Sequence, residues 1–245
     1  MFPKQRTLPS MSRPADPENP SSAFARLDLP CIETALRSLR SEFKTVNRSL
    51  TERREQLTDF ATDNLLAGFA YIDHLVAESI DVFRYGESMH LLELNRIVLF
   101  GNDRANMTEY EGHLDETRAQ FYNDASGGSI RALVNWYQDH HHTSVELRAA
   151  GLLIHVLSQP QLFIEGNNRT GALLMNYVLL RHGFAPLIVT IDNAKDFFEL
   201  AARAKSLRKG TLSGYFPLLG LRRRLTKLIH EQAEDLYLLD PTSVA

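Results

Sequence analysis

Apolar residues recur at helical spacing along most of this chain. From residue 31 to about residue 82, apolar side chains such as Ile32, Leu36 and Leu39 stand three or four positions apart, with charged residues between them. This spacing puts the apolar side chains on one face of a helix. The pattern predicts at least two helices in this part of the chain.

The same periodicity continues to the carboxyl end. It predicts helices at residues 87–100, 145–157, 168–182, 194–205 and 220–237, and another that begins after Ser129 as its N-cap. The helix at 145–157 is apolar on nearly all sides, which is typical of a helix in the middle of a bundle. A strand signal is confined to residues 187–190 and to one mixed segment. We therefore expect a single all-α domain.

The mixed segment covers residues 116–124. There Thr117, Phe121 and Tyr122 are mixed with polar residues, and the segment runs into a Ser-Gly-Gly turn at residues 126–128. Residues of this kind beside a glycine turn predict a short hairpin arm.

The first thirty residues have a different composition. Six of the ten prolines lie there, together with several serines. Proline removes backbone donors and favours extended conformations, so we expect residues 1–30 to be a disordered leader and residues 31–240 to form the folded domain.

Composition and charge exclude several classes of function. The 27 Lys and Arg against 30 Asp and Glu give a net charge of -3, so no positive field over the whole protein would attract nucleic acid or an anionic membrane. The longest apolar stretch, residues 171–180, is about half of the roughly 20 residues that a membrane-spanning helix needs. The single Cys31 excludes a zinc site of several cysteines and favours a cytoplasmic location.

The chemically informative segment joins the two most apolar helices. Gly166, Asn167 and Asn168 tolerate the left-handed backbone, and a turn of this kind points N–H groups into one concavity ahead of the next helix. That concavity suits a phosphate, with Arg169 as a cation beside it. Glu165 could share a Mg²⁺ ion with such a phosphate. Taken alone, the same residues also fit an ordinary surface loop.

The whole segment resembles the signature of the Fic (Fido) family, His-x-Phe-x-(Asp/Glu)-Gly-Asn-Gly-Arg-x-x-Arg. The matching residues are Phe163, Glu165, Gly166, Asn167 and Arg169, at unbroken spacing within residues 161–172. The similarity extends over approximately residues 89–215. It implies an all-helical fold that transfers AMP from ATP to a hydroxyl side chain of a target protein.

The resemblance also implies roles for individual residues. Glu165 would hold Mg²⁺, and residues 166–169 would bind the phosphates of the nucleotide. Phe197 and Phe198 match the family helix whose aromatic residues lie near the adenine. The predicted arm matches the family's flap, on which a target segment aligns by strand addition. Its docking residues would be Thr117, Arg118, Ala119, Gln120 and Phe121.

Three departures from the signature bear on activity. Gln161 stands where the family has its catalytic histidine, and a primary amide has no accessible pKa with which to accept a proton. Asn168 replaces the second glycine of the turn, and Ala172 replaces the last arginine, which in the family meets the terminal phosphate. The sequence therefore keeps one arginine and the metal carboxylate while it loses the base and one phosphate contact.

Glu93 and several histidines are weaker candidates for site residues. Glu93 is faintly similar to the glutamate of the family's inhibitory motif, but a solvated glutamate on a helix face is the stronger interpretation. His155 precedes Gln161 by six residues, roughly 9 Å of helical rise, which favours a core histidine over a relocated base. His140, His141 and His142 point in different directions on a helix and cannot readily share one metal ion.

Three functions remain open at this point. The first is binding of a nucleotide or other phosphorylated ligand, with impaired or altered AMP transfer. The second is an active protein-modifying transferase that uses another base. The third is a peptide-binding or assembly module that acts through the arm at residues 117–121.

Overall fold

The computed structural model describes residues 25–102 and 107–239, and the regular secondary structure in these ranges consists of helices joined by loops. Its nine α-helices within these ranges are α1 (Leu29–Arg48), α2 (Asp59–Ala77), α3 (Met89–Phe100), α4 (Met107–Phe121), α5 (Ile130–Asp139), α6 (Val145–Leu157), α7 (Asn167–Arg181), α8 (Ala194–Lys205) and α9 (Leu212–Gln232). Short 3-10 helices occupy Asp124–Ser126 and Asp235–Tyr237. In the described ranges, backbone pairing of the β type is limited to two isolated bridges. The prediction of an all-α fold is confirmed.

Helices α6 and α7 form the centre of the domain. They pack against each other, while α9 covers α6 and both α2 and α3 cover α7. Leu152, Leu153 and Val156 of α6 and most apolar residues of α7 are buried, so these two helices are enclosed on nearly all sides. The predicted central position of residues 145–157 agrees with this arrangement.

Local capping explains where several helices begin. Ser129 accepts a hydrogen bond from the amide of Ala132 at 3.4 Å and starts α5, as predicted, and Ser144 caps α6 in the same way. Thr211 caps α9 through the amide of Gly214, so α9 begins eight positions before the predicted start at residue 220 and contains Pro217 inside it. Pro217 lies in the second turn of this helix and has no N–H to donate to the carbonyl oxygen of Ser213, so α9 lacks one backbone hydrogen bond there.

The prediction of a hairpin arm was wrong. Residues 117–121 form the last turns of α4, with Thr117 and Phe121 both buried. Two buried residues four positions apart share one face of a helix, and packing of that face outweighs the preference of threonine and phenylalanine for strands. Because the backbone groups of a helix are already paired, this segment does not offer an edge for strand addition.

The strand signal at residues 187–190 also did not produce a strand. The segment is an extended connection between α7 and α8. Asn176 of α7 accepts a hydrogen bond from the amide of Leu187 at 2.8 Å and donates one to its carbonyl oxygen at 3.1 Å. This side chain therefore satisfies backbone groups that a neighbouring strand would otherwise pair.

The folded part starts slightly before the predicted boundary at residue 31. Arg26 binds the carboxylate of Asp73 on α2, and Leu27 is buried. The rest of the predicted leader, residues 1–24, lies outside the described residues. Among the described helices, none combines the length and the hydropathy that a membrane-spanning segment requires.

Candidate functional site

The turn between α6 and α7 is built around Gly166. Its backbone is left-handed, with φ 74° and ψ 1°, and it directly precedes the first residue of α7. A Cβ atom at this position would lie 2.8 Å from Asn95 Nδ2, so only glycine fits both the conformation and the space. The amide groups in the first turn of a helix have no acceptor within the helix, which leaves those of α7 pointing toward the turn.

Asn167 holds the signature segment in its bent form. Its Oδ1 accepts a hydrogen bond from the amide of Phe163 at 3.0 Å, and its Nδ2 donates to the carbonyl oxygen of Phe163 at 2.7 Å. The Phe163 side chain is fully buried and stacks on Phe121 of α4, with ring centroids 5.7 Å apart. Contacts within the protein thus hold the turn in this conformation without a ligand.

A second asparagine fixes the turn from α3. Asn95 donates from Nδ2 to the carbonyl oxygen of Glu165 and to Thr170 Oγ1, both at 3.0 Å. Asn95 and Thr170 are both buried, so these bonds are protected from water. Analysis of the sequence missed Asn95. A polar residue inside the apolar pattern of residues 91–98 is the signal that could have found it.

Gln161 is engaged at both ends of its side-chain amide. Nε2 donates to the carbonyl oxygen of Leu157 at 3.0 Å, and Oε1 accepts a long hydrogen bond of 3.5 Å from Asn167 Nδ2. The backbone carbonyl of Gln161 also accepts a hydrogen bond from Gln120 of α4 at 3.1 Å. The side chain at the position of the family histidine therefore ties the end of α6 to the turn.

Arg169 points toward the end of α3. Its Nη1 donates to the carbonyl oxygen of Val98 at 2.8 Å. Burial lowers the pKa of the guanidinium, and the charges of Glu55 and Glu165 offset part of this effect. A guanidinium has five N–H donors, so this bond leaves donors for an anion at the turn.

Glu165 and Asn168 flank the turn with side-chain oxygens in different environments. Glu165 is exposed, whereas Asn168 Oδ1 is buried without a hydrogen-bond partner in the described ranges. No cluster of three or more His, Cys, Asp or Glu suited to a metal occurs among the described residues. The residues present therefore fit a Mg²⁺ ion held by Glu165 together with ligand phosphates and water, and do not form a cage of protein ligands.

Comparison with known proteins gives a consistent result. No family model matches the chain. Over 42 residues, 17% of this chain and 10% of the relative, it is 43% identical to the protein adenylyltransferase Fic of Nematostella vectensis. Over 117 residues it is 26% identical to the protein adenylyltransferase fic-1 of Caenorhabditis elegans, which is 44% of this chain and 22% of the relative. The resemblance of this chain to the Fic (Fido) family is therefore confirmed.

The chain also aligns with a solved structure. The chain aligns with a crystal structure of a Fic-domain-containing signalling protein from Bacteroides thetaiotaomicron at 17% identity and a TM-score of 0.43. That alignment covers 81% of this chain and 88% of the other. The matches to the two curated adenylyltransferases, by contrast, span less than a quarter of their length.

The two phenylalanines predicted to lie near the adenine pack against other residues of the domain. Phe197 is buried. Phe198 contacts Phe43 of α1 edge to face at 6.0 Å, and the guanidinium of Arg54 lies 4.5 Å from its ring centroid. The described contacts of Phe198 thus tie α8 to α1 and to the segment that follows α1.

Glu93 is bound within its own helix. It accepts hydrogen bonds from Arg96 Nε at 2.9 Å and Nη2 at 2.8 Å, and Arg96 Nη1 donates to the carbonyl oxygen of Gly101. This network closes the end of α3 next to Val98. Glu93 therefore supports the element that receives Arg169.

The histidines singled out in the sequence lie apart from the turn. His155 contacts Trp136, with ring centroids 5.4 Å apart, and burial lowers its pKa to about 3. His140 and His141 bond through Nδ1 to backbone carbonyl oxygens at the end of α5. His140 and His141 thus have backbone partners, and His155 has the ring of Trp136 as a neighbour.

Helix α4 carries buried polar atoms in an arrangement that was not predicted from the sequence. His113 Nε2 and Thr117 Oγ1 are buried without hydrogen-bond partners in the described ranges. They lie four positions apart, on one face of the helix that also carries Gln120. The His113 ring meets Phe100 at the end of α3 edge to face, with centroids 5.8 Å apart. That spacing was the available signal, and it was hidden by the assignment of this segment to a hairpin.

Proposed function

We propose that this Fic domain binds a nucleotide or a related phosphorylated ligand at the turn of residues 166–169 and is impaired in AMP transfer. The observation that carries the proposal is the left-handed Gly166 turn at the start of α7, held by Asn95 and Asn167. A helix amino end with free amides and a positive dipole favours a phosphate.

Arg169 supplies the cation beside this turn. Its burial is costly, as the lowered pKa indicates, and a bound anion would offset that cost. Glu165 would hold Mg²⁺ when a nucleotide is bound, and the ion would neutralise charge between the carboxylate and the phosphates. Ala172 provides no second guanidinium in this region.

The expectation of impaired transfer rests on Gln161. Its amide cannot accept a proton from an attacking hydroxyl at neutral pH, and both of its polar atoms already bind the protein. General-base catalysis contributes about 10²- to 10⁴-fold, and loss of the base would reduce transfer by that order.

Calorimetric titration with ATP and Mg²⁺ tests the binding site. We expect saturable binding to the wild type, at least about tenfold weaker binding to Arg169→Gln, and loss of the Mg²⁺ dependence in Glu165→Ala. Glu42→Ala, an exposed carboxylate on α1, is the matched control and should bind like the wild type. The absence of binding at millimolar nucleotide would overturn the proposal.

A gain-of-function series tests the impairment. Gln161→His, alone and combined with Asn168→Gly and Ala172→Arg, should raise auto-AMPylation above that of the wild type, measured by intact-protein mass. If the folded triple variant gains nothing, the departures from the family signature are not what limits transfer.

One observation favours a second candidate, transfer by another base. His113 Nε2 lies buried and without a partner close to Phe100, at the end of the helix whose Val98 binds Arg169. If His113 replaces the family histidine, wild-type auto-modification should be measurable and should disappear in His113→Gln. It should persist in His74→Gln, which changes an exposed histidine of α2. Equal activity in both variants would exclude this candidate.

A further inference from the structure

A cavity separate from the Gly166 turn lies next to the start of the signature segment. It has a volume of about 670 Å³, is open to solvent on one side, and is lined by α5, α6, the first half of α9 and the connection from α8 to α9. Its lining reaches Ser158 and Pro160 but includes none of residues 161–172. This volume is within the range of roughly 300–1,000 Å³ that is usual for small-molecule sites.

The polar part of this cavity is basic. Arg208, Lys209 and Arg222 line it together with His140 and His155, and no aspartate or glutamate is among the described residues that form its wall. Within the described chain, Arg222 Nε and His155 Nε2 are both buried without a hydrogen-bond partner. Buried polar atoms are normally paired, so two such atoms in one cavity indicate a missing partner.

Lys209 adds a buried cation to the same wall. Its Nζ donates to the carbonyl oxygens of His155 at 2.8 Å and Ser158 at 3.2 Å, at the end of α6. Burial lowers the pKa of this amine to about 7, and the imidazole of His155 is neutral because burial also lowers its pKa. An anion in the cavity would stabilise the charged form of Lys209.

The remaining wall is flat and apolar. Trp136 stacks on His140, with ring centroids 4.3 Å apart, and Leu218 and Leu219 of α9 also line the cavity. A Cβ atom at Gly151 of α6 would overlap both the Trp136 ring and the side chain of Arg222. Glycine at this position therefore leaves room on α6 for both the indole of Trp136 and the aliphatic part of the Arg222 side chain.

We propose that this cavity binds a small organic anion, a carboxylate or phosphate monoester on a flat apolar body. The anionic group would meet Arg222, with Arg208 and Lys209 adding positive charge, and the apolar body would lie against Trp136 and the two leucines. This site is additional to the one at Gly166, and it is built from α5, α6, α9 and the α8–α9 connection.

Trp136 gives a direct test, because it is the chain's single tryptophan and forms part of the wall. Phenyl phosphate and benzoate, titrated separately into the full chain, should each change its fluorescence saturably, and the tighter one indicates the preferred anionic group. Benzyl alcohol, which lacks the charge, and inorganic phosphate, which lacks the apolar body, should bind at least about tenfold more weakly.

Variants locate the binding. Arg222→Gln should weaken binding of the aromatic anions by at least about tenfold. Arg223 is an exposed neighbour on the same helix, and Arg223→Gln should not change the binding. Circular dichroism checks that both are folded, and Arg208→Gln at the exposed rim serves as a second variant if Arg222→Gln does not fold. The proposal is overturned if neither anion changes the fluorescence in the millimolar range, or if the folded cavity variants bind as the wild type does.

Discussion

At the scale of single residues, two neighbouring asparagines have opposite environments. Asn167 pairs both backbone groups of buried Phe163, whereas Asn168 Oδ1 has no partner among the described residues. Each unpaired buried group costs about 1–3 kcal/mol, so Asn167→Ala should lower the free energy of unfolding by about 2–4 kcal/mol. Asn168→Ala should lower it by less than about 1 kcal/mol. Urea denaturation measures both, and equal losses would contradict the assigned contacts.

His155 makes stability depend on pH. Burial, with smaller effects of Lys209 and His140, lowers its pKa from 6.5 to about 3 in the folded state. Between these values only the unfolded state binds the proton, so stability is complete above about pH 6.5 and is lost as the pH falls. From pH 7 to pH 5 we expect a loss of about 2 kcal/mol from this group.

A pair of variants isolates that effect. Chemical denaturation at pH 7 and pH 5 should show a smaller loss in His155→Gln than in the wild type. His230→Gln changes an exposed histidine of α9 and should behave as the wild type does. The same loss in all three proteins would assign the pH dependence to other groups.

At the scale of elements, the burial of residues at the end of α4 differs between the observed helix and the predicted arm. Phe121 is fully buried on Phe163, while the next residue, Tyr122, is 50% exposed. Phe121→Ala should cost about 3–5 kcal/mol of unfolding free energy, and Tyr122→Ala less than about 1 kcal/mol. Thermal and urea unfolding of both variants test this, since a surface arm would tolerate either change.

The helices show what a sequence can predict and what it cannot. The bounds of α6 and α8 were predicted to the residue, because apolar periodicity and caps are local properties. The assignment of residues 117–121 failed because strand-favouring residues there are buried on a helix face. The bond from Arg169 to Val98 joins residues 71 positions apart, and no local pattern contains it.

At the scale of the whole molecule, the two candidate sites share the end of α6. Gln161 binds the carbonyl oxygen of Leu157, and Lys209 binds those of His155 and Ser158. Backbone bonds between Gln159 and the segment at Leu207 and Lys209 join the two regions. Carbonyl oxygens of residues 155–158 thus accept hydrogen bonds from both sites. Gln161 of the signature segment binds one of them, and Lys209 of the second site binds two.

The two ends of the described chain also meet. Asp28 donates from its amide to the carbonyl oxygen of Tyr237 at 2.8 Å, and Leu239 donates to that of Arg26 at 2.8 Å. Asp73 of α2 anchors this junction, because its carboxylate accepts hydrogen bonds from the Arg26 guanidinium at 2.7 Å and from the Leu27 amide at 2.9 Å. One buried carboxylate therefore holds residues 26 and 27 where the backbone bonds of the junction form.

Replacing Asp73 tests that closure. Removing one partner of a buried ion pair costs about 3–5 kcal/mol, and half-exposure of Arg26 reduces this, so we expect Asp73→Ala to lower the free energy of unfolding by about 2–4 kcal/mol. Asp63→Ala is the matched control, since Asp63 lies on the same helix and binds Arg37 at 3.0 Å on the exposed surface. Its loss should stay below about 1 kcal/mol. Hydrogen exchange should show faster exchange of the Asp28 and Leu239 amides in Asp73→Ala alone, and unchanged protection of both would mean that the junction is held by other contacts.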